Sequence, residues 1–330
     1  MTTHDVLTIG NAIVDIIART EDDFLVANGI IKGAMNLIDA ERAELLYSRM
    51  GPAVEASGGS AGNTAAGIAN LGGKAAYFGK VANDHLGRIY THDIRAQGVA
   101  FDTQPLQGTP PTARSMIFVT PDGERSMNTY LGACVELQPS DIEEDKVAGA
   151  QVTYFEGYLW DPPLAKDAIR QAAAIAHKHG RKMAMTLSDS FCVDRYRAEF
   201  LDLMRSKTVD IVFANEHELK ALYQTADFET ALGLLRNDCE LAAVTLSEKG
   251  SIITRGHETA VIKPVPVERV VDTTGAGDLY ASGVLYGLTQ GKSLADCGRL
   301  GSMAASICIS QIGPRPQENL AEAARQLGIL

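Results

Sequence analysis

Short apolar runs alternate with segments of helical periodicity along most of the 330-residue chain. Runs such as VLTIG (Val6–Gly10), VDIVFAN (Val209–Asn215) and LAAVTLS (Leu241–Ser247) are typical of buried strands. Between such runs lie helical patterns, and two of them end at Gly98 and Gly180, where glycine commonly closes a helix. This alternation predicts an α/β fold, with a mainly parallel central sheet and helices on both of its faces.

Two segments interrupt the alternation with β-like runs and turn signals. The second contains ARSMIFVTPDGERSMNTYLG, which is typical of a β-hairpin closed by a PDGE turn. We therefore expect residues 15–52 and 100–131 to form a small β-sheet lid over one edge of a large domain. The large α/β domain then comprises residues 1–14, 53–99 and 132–330.

Composition and charge narrow the class of partner. The chain is 45% hydrophobic and carries a formal net charge of −11, which argues against nucleic acid or an anionic membrane as a partner. The start MTTHDVLTIG lacks the features of a signal peptide, and no apolar run is long enough to cross a bilayer. The five cysteines show no metal or disulfide spacing, which favours a reducing, cytoplasmic location: Cys134, Cys192, Cys239, Cys297 and Cys308.

The stretch VVDTTGAGDLY (Val270–Tyr280) contains a glycine turn that leads directly into a predicted apolar helix. The first N–H groups of a helix have no internal partner, and together with the helix dipole they attract anions. Gly275, Ala276 and Gly277 have almost no side chain, so a tetrahedral group can approach their backbone closely. Asp278 then suits proton abstraction from an attacking alcohol. The alternative is that Asp278 only caps the helix.

The stretch Ser57–Gly87 contains another glycine turn, GGSAGN, which opens a helix with a face of small residues. Asn63 places an amide at that helix start, where it suits paired hydroxyl groups. Close helix–strand packing explains the small residues of the helix, but it explains the doubled Gly58–Gly59 less well.

Taken together, the two stretches resemble the signatures of the PfkB family of carbohydrate and nucleoside kinases, whose fold is called ribokinase-like. The resemblance covers nearly the whole chain. It implies that Asp278 is the catalytic base and that the backbone of Gly275–Gly277 forms the anion hole for the γ-phosphate of ATP. By the same resemblance, Gly277 also contacts the nucleotide.

Two further motifs resemble the nucleotide side of this family. ANEHE resembles its N-x-x-E motif, so Asn215 would contact ATP and Glu218 would organise Mg²⁺ through water. The alternative for Glu218 is an acidic first helical turn. VTLSEKGS resembles the nucleotide loop T-x-G-x-x-G. Thr245 and Gly250 fit that pattern, whereas Ser247 stands where the family usually has glycine, which puts identical loop geometry in doubt.

The N-terminal IGNAIVDI resembles the adenosine-kinase branch of the family. This resemblance implies that Asp15 holds two ribose hydroxyls as a bidentate acceptor, with Gly58, Gly59 and Asn63 completing the ribose site. The alternative for Asp15 is a turn-capping role. The same resemblance places two further residues beside the base: Asn11 and Ile13.

The lid segment GERSMNTYLGA also resembles adenosine kinases more than plain sugar kinases. Arg125 would reach the phosphates when the lid closes, although an exposed hairpin arginine is the alternative. Met127 and Thr129 alternate with a polar residue and can offer a flat face to a purine. Tyr158 or Leu159, from EGYLWD, can supply the opposite wall.

These features predict an ATP-dependent, Mg²⁺-assisted nucleoside kinase that phosphorylates the 5′-hydroxyl of adenosine and gives AMP, a purine-salvage reaction. The alternatives are a kinase of ribose, fructose or another nucleoside, and a nucleotide-binding regulator without catalysis. A monovalent cation near Asp272 and the choice between monomer and homodimer stay open. YGLTQGKS lacks Walker A spacing, since three residues rather than four separate Gly287 from Gly291.

Overall fold

The computed structural model describes residues 2–330, which form two sheets and the helices around them. The strands in chain order are β1 (His4–Ile9), β2 (Ile13–Arg19), β3 (Met35–Leu37), β4 (Ala53–Ser57), β5 (Ala75–Phe78), β6 (Ala113–Val119), β7 (Arg125–Tyr130), β8 (Ala150–Glu156), β9 (Lys182–Thr186), β10 (Ile211–Asn215), β11 (Leu241–Thr245), β12 (Ser251–Arg255) and β13 (Glu258–Ile262).

The α-helices in chain order are α1 (Asp22–Ala27), α2 (Ala40–Arg49), α3 (Ser60–Asn70), α4 (His85–Ala96), α5 (Glu144–Gly149), α6 (Pro163–Lys178), α7 (Ser190–Arg205), α8 (Glu216–Tyr223), α9 (Phe228–Asp238), α10 (Ala276–Thr289), α11 (Leu294–Ile309) and α12 (Leu320–Gln326).

The large sheet has the strand order β13-β12-β11-β10-β9-β8-β1-β5. From β5 to β11 every neighbouring pair is parallel, and only β12 and β13 at the edge run antiparallel. Both faces of this sheet are apolar because helices cover both of them. Phe155, Trp160 and Phe200 belong to the core on one face, and Tyr77 and Tyr90 to the core on the other. The predicted central sheet with helices on both faces is therefore confirmed.

The small sheet has the strand order β3-β7-β6-β2-β4. Its antiparallel pair β6–β7 is the predicted hairpin. Sheet membership differs from the predicted boundaries, because β4 pairs with β2 in the small sheet although residues 53–57 were assigned to the large domain. Conversely, Ala100 and Leu106 bridge residues at the β5 edge of the large sheet. Strand pairing depends on distant partners, which a local pattern does not reveal.

Residues 15–52 contain two helices, α1 and α2, where the sequence pattern predicts only strands and turns. They cover the outer face of the small sheet: Phe24 packs on Phe118 with ring centroids 5.0 Å apart, and Leu46 shares a buried core with Met116. Helix α1 has six residues, which is less than two turns, so its period is too short to stand out from the sequence.

Three features of residues 2–330 concern membrane spans, the cysteines and the turn after α10. Within that range no helix is long and apolar enough to cross a membrane. The five cysteines are free. Helix α10 ends at Thr289 and Gly291 has a φ of 67°, so the Gly287–Ser293 region is a helix end and turn.

Candidate active site

Asp278 occupies the third position of α10, and its carboxylate turns toward α3. Ser60 Oγ donates a hydrogen bond of 2.6 Å to Asp278 Oδ1, and Asn63 Nδ2 donates one of 2.9 Å to Oδ2. Burial raises the pKa of Asp278, while these two hydrogen bonds and the charge of Arg315 lower it. The side chain therefore does not cap its own helix; both of its oxygens are held in a fixed orientation by another helix.

The turn before α10 requires glycine at its first position. Gly275 has a φ of 80°, and a Cβ atom there would overlap Pro314. As the N-cap of α10, Gly275 offers no side-chain acceptor to the free amides of the first turn. At Gly277 a Cβ atom would meet nothing within 4 Å, so this position faces open space.

The amides of this turn are not equivalent. The N–H of Ala276 donates to Thr273 O at 3.2 Å, whereas those of Gly277 and Asp278 have no hydrogen-bond partner within residues 2–330. The N–H groups of Gly277 and Asp278 are thus the two donors that an anion could reach, at the positive end of the helix dipole.

Asp15 lies on β2 of the small sheet, in register with Ser115 of β6, which is in register with Thr129 of β7. Its carboxylate is buried, and burial raises the pKa of Asp15 to about 6, with Arg315 and Arg125 acting in the opposite direction. A Cβ atom at Gly58 would overlap this carboxylate, so the first glycine of the pair leaves room for Asp15.

The loop after β1 and the start of α3 are joined by a carboxylate that sequence reasoning missed. Glu156 accepts a hydrogen bond of 3.0 Å from the Asn11 N–H and one of 2.7 Å from the Ala61 N–H. Glu156 is buried, and its burial raises its pKa to about 7. Gly59 has a φ of 85°, and a Cβ atom there would overlap the Asn11 carbonyl, so both glycines of the pair serve close approach.

The face of the small sheet that carries Asp15 also carries the predicted purine contacts. Met127 and Thr129 alternate with the buried Asn128 on β7, and Ile13 precedes Asp15 by two positions on β2. Leu37 pairs with Thr129 and is 58% exposed, so it extends this face; sequence reasoning missed it.

The sequence predicts Tyr158 or Leu159 for the opposite wall of the purine pocket, and the two residues differ in burial. Leu159 is fully buried in the core, whereas Tyr158 is partly exposed. The Tyr158 hydroxyl donates to the Ser188 carbonyl at 3.2 Å, which fixes its ring. Tyr158, rather than Leu159, is therefore the residue available to a ligand.

Arg125 is not the exposed hairpin arginine of the alternative interpretation. Its side chain is 7% exposed, and Nη2 lies 2.7 Å from Asp272 Oδ2. Asp272 also accepts hydrogen bonds from the N–H groups of Thr274 (3.0 Å) and Gly313 (2.8 Å). The ion pair joins the small sheet to the beginning of the glycine turn, close to the open amides but not at them.

On the nucleotide side, Asn215 and Glu218 form a capping box at the start of α8. Asn215 Oδ1 accepts from the Glu218 N–H at 2.9 Å, and Glu218 accepts from the N–H and Nδ2 of Asn215 at 2.9 and 2.6 Å. Glu218 is buried, and this burial raises its pKa to about 7. Residues 2–330 contain no group of three or more His, Cys, Asp or Glu side chains that could hold a metal ion.

The predicted nucleotide loop follows β11. Thr245 ends the strand opposite Asn215 of β10, so these two predicted nucleotide contacts lie side by side. Ser247 has a φ of 53° and Gly250 a φ of 96°. Ser247 thus adopts the left-handed conformation that glycine takes more readily, at a cost of about 1 kcal/mol. A Cβ atom at Gly250 would overlap the Ile262 carbonyl.

The fold brings the predicted acceptor residues and the predicted nucleotide residues to the same edge of the large sheet. Asn11 follows β1, Glu156 ends β8, and Asn215 and Thr245 end β10 and β11; ligands of open parallel sheets bind at this carboxyl edge. Sequence reasoning missed Ser60, although it lies within the GGSAGN turn, and it missed Arg315, for which no local motif exists.

Comparisons with known proteins extend this geometry. The model of the pfkB family of carbohydrate kinases matches residues 4–320. Adenosine kinase from Sinorhizobium meliloti is 73% identical in sequence, with 99% of this chain and 100% of that chain covered and a TM-score of 0.93. A probable sugar kinase protein from Rhizobium etli CFN 42 is 70% identical over 100% of both chains, with a TM-score of 0.94. Adenosine kinase of Saccharomyces cerevisiae is 26% identical over 96% of this chain and 98% of its own.

Proposed function

The chain belongs to the pfkB family of carbohydrate kinases, and we propose that within this family it is an ATP-dependent adenosine kinase. It transfers the γ-phosphate of ATP to the 5′-hydroxyl of adenosine and releases AMP and ADP. The observation that carries this proposal is the 73% identity, over 99% of the chain, to an adenosine kinase. The Asp278 carboxylate beside an open helix N-terminus supplies the chemistry that such a transfer needs.

Asp278 accepts the proton of the 5′-hydroxyl as that oxygen attacks the γ-phosphorus. Because Ser60 and Asn63 each hold one carboxylate oxygen, the base has a single orientation before substrate arrives. Pre-set orientation of this kind lowers the barrier, since it removes reorganisation from the reactive step.

Negative charge on the migrating phosphoryl group is met by the open amides of Gly277 and Asp278. Arg125 exchanges its pairing with Asp272 for the phosphate oxygens when substrates are bound. Mg²⁺, when bound, would supply positive charge against the transferring phosphates. Glu218 would hold it through water, and Thr245, Ser247 and Gly250 line the nucleotide.

The acceptor lies against the small sheet. Asp15 accepts hydrogen bonds from the two ribose hydroxyls, and the missing side chains of Gly58 and Gly59 leave room for the Asp15 carboxylate and the Asn11 backbone. The base then extends along the same face of the small sheet, toward Leu37. The other side chains that we propose for its pocket are Asn11, Ile13, Met127, Thr129 and Tyr158.

The structure also supports proposals on cation use, assembly and location. Arg125 balances the charge of Asp272 before substrates bind, so we propose that no monovalent cation is needed there in the substrate-free protein. Helices α1 and α2 cover the outer face of the small sheet, which favours a monomer. Five free cysteines favour a reducing cytoplasm.

A substrate panel tests the proposed function. ADP release is measured with adenosine, inosine, guanosine, cytidine, ribose and fructose as acceptors. We expect kcat/KM for adenosine to exceed that for each other acceptor by about a hundredfold, because unpaired polar groups in the base pocket penalise the wrong acceptor. A sugar preferred over adenosine would favour the activity in the name of the Rhizobium etli protein, and no ADP release with any acceptor would favour a regulator.

A further inference from the structure

Arg315 lies in the segment between α11 and α12 and reaches back to the start of α3. Its side chain is 12% exposed. Arg315 Nε donates a hydrogen bond of 3.1 Å to Asn63 Oδ1, and Nη1 donates to Ser57 Oγ and lies 3.6 Å from Asp93 Oδ2. Asn63 therefore links the Arg315 guanidinium to the Asp278 carboxylate through two hydrogen bonds.

We propose that Arg315 is a positioning residue for phosphoryl transfer, which locks the Asn63 amide in the orientation that holds Asp278 and keeps a permanent positive charge behind that base. This inference rests on the proposed kinase function, because it assigns a role to Arg315 in the same site.

The orientation argument follows from donor and acceptor chemistry. A guanidinium only donates hydrogen bonds, so Arg315 can pair only with the oxygen of the Asn63 amide. The amide nitrogen must then point the other way, to Asp278 Oδ2 at 2.9 Å. Without Arg315 only the Asp278 carboxylate itself favours this orientation, because a flipped amide would set its oxygen against the carboxylate.

The charge argument concerns the groups around Asp278. Asp15 on β2 and Glu156 on β8 are acidic neighbours whose pKa values are raised mainly by burial and further by the Asp278 charge. Burial and, to a smaller extent, the same charge also raise the pKa values of the other titratable groups that face Asp278, which are Tyr154, Tyr158 and Cys308. Arg315 acts against this acidic cluster, since its charge lowers the pKa of Asp278.

The packing around Arg315 also matches its guanidinium. A Cβ atom at Gly62 on α3 would lie 3.3 Å from Arg315 Nη2 and 2.9 Å from the Tyr90 hydroxyl. The small residue on α3 therefore leaves space for the planar cation next to the turn that carries Asn63. A purely structural role, in which Arg315 only joins Ser57 to Asp93, would not require contact with Asn63. The structural role and the positioning role therefore predict different effects of substitution.

The experiment measures kcat as a function of pH with saturating adenosine and ATP for the wild type and for Arg315→Gln. Loss of the cation raises the pKa of Asp278, and the base works ionised, so the acidic limb of the profile moves to higher pH. We expect a shift of about 0.5–1 pH unit. At neutral pH we also expect kcat to fall about tenfold, with part of the loss recovered at alkaline pH.

Two further variants separate charge from orientation. Arg315→Lys keeps the charge but not the planar donor, so it keeps the wild-type limb while kcat falls uniformly. In an Asn63→Ala background, Arg315→Gln should lower kcat by less than it does alone, because the amide it orients is gone. Arg325→Gln, at an exposed arginine of α12, is the control and should match the wild type.

An unmoved acidic limb in Arg315→Gln, with or without a uniform loss of rate, would overturn the proposal. Failure of the kinase assignment is recognised separately, because wild-type protein would then not release ADP with adenosine. In that case the profile is recorded with whichever acceptor is active. If none is active, a ¹³C-carboxyl NMR titration, with Asp278→Asn to assign the signal, gives the pKa of Asp278 in both proteins, and equal values refute the role.

Discussion

The N-termini of α8 and α10 share one feature and differ in its use. In each helix an acidic residue occupies the third position, Glu218 in α8 and Asp278 in α10. In α8 the side chain of the N-cap Asn215 accepts a hydrogen bond from the Glu218 N–H. The Asn215 N–H in turn donates to the Glu218 carboxylate, so the helix end is closed. In α10 the N-cap is Gly275, which has no side chain, and the end stays open.

This difference shows how one residue at the N-cap decides what the acid does. Where the N-cap residue has a polar side chain, the carboxylate of the third residue is hydrogen-bonded within its own helix end. Where the cap is glycine, the amides remain available to an anion and the acid is held by Ser60 and Asn63 of another helix. Helix α11 repeats the closed case, since Ser293 accepts from the Asp296 N–H and donates to its carboxylate.

The largest effect is expected at the open end. Asp278→Asn removes the base, and we expect kcat to fall about a thousandfold because general-base catalysis commonly contributes that much. Calorimetry should show adenosine and ATP affinities within about threefold of the wild type. Asp296→Asn, the acid at the same position of α11, is the matched control and should leave kcat unchanged. Turnover of Asp278→Asn within tenfold of the wild type would contradict the role.

At the closed end, Asn215→Ala is expected to act on stability. It removes the N-cap acceptor and the Nδ2 donor of the buried Glu218 carboxylate, so we expect a loss of about 2 kcal/mol in the free energy of unfolding, measured with urea. Asn319→Ala removes a cap from α12, where Glu322 is exposed, and should cost only about 1 kcal/mol. Equal losses at the two helices would mean that burial of Glu218 adds nothing.

Glu218→Gln sharpens the comparison further, because glutamine preserves a capping box but not the charge. We expect the melting temperature to stay within a few degrees, while the Mg²⁺ concentration for half-maximal rate rises about tenfold. Glu322→Gln, in another Asn-x-x-Glu sequence that also opens a helix, is the control and should change neither quantity. A lowered melting temperature with an unaltered Mg²⁺ requirement would reduce Glu218 to a structural cap.

The smallest effect is expected in the nucleotide loop. Ser247→Gly relieves a left-handed backbone but increases the entropy of the unfolded chain, so we expect a net gain of about 0.5 kcal/mol in stability. KM for ATP should stay within about twofold, since the loop already has the conformation of glycine. Gln224→Gly, at a φ of 50° outside this loop, provides the comparison for stability. A large change in KM for ATP would show that the serine hydroxyl itself contacts the nucleotide.

Much of the fold was open to prediction from the sequence because its signals are local. Periodicity over long segments such as α6 and the PDGE hairpin between β6 and β7 identified the elements correctly. The glycine turn before Asp278 was recognisable for the same reason, since a positive φ demands glycine at Gly275 whatever surrounds it. The short helices α1 and α2 and the pairing of β4 were missed, because their order comes from contacts with the small sheet.

The set of elements, the open helix end and the main residue types at the site can therefore be inferred from the chain alone. Which groups meet depends on the folded arrangement. Ser60 lies 218 positions from Asp278 and Arg315 lies 252 positions from Asn63, and no local pattern relates such pairs. The physical reason is that hydrogen bonds and charge act through space, over a few ångströms, whereas periodicity reports only on neighbours along the chain.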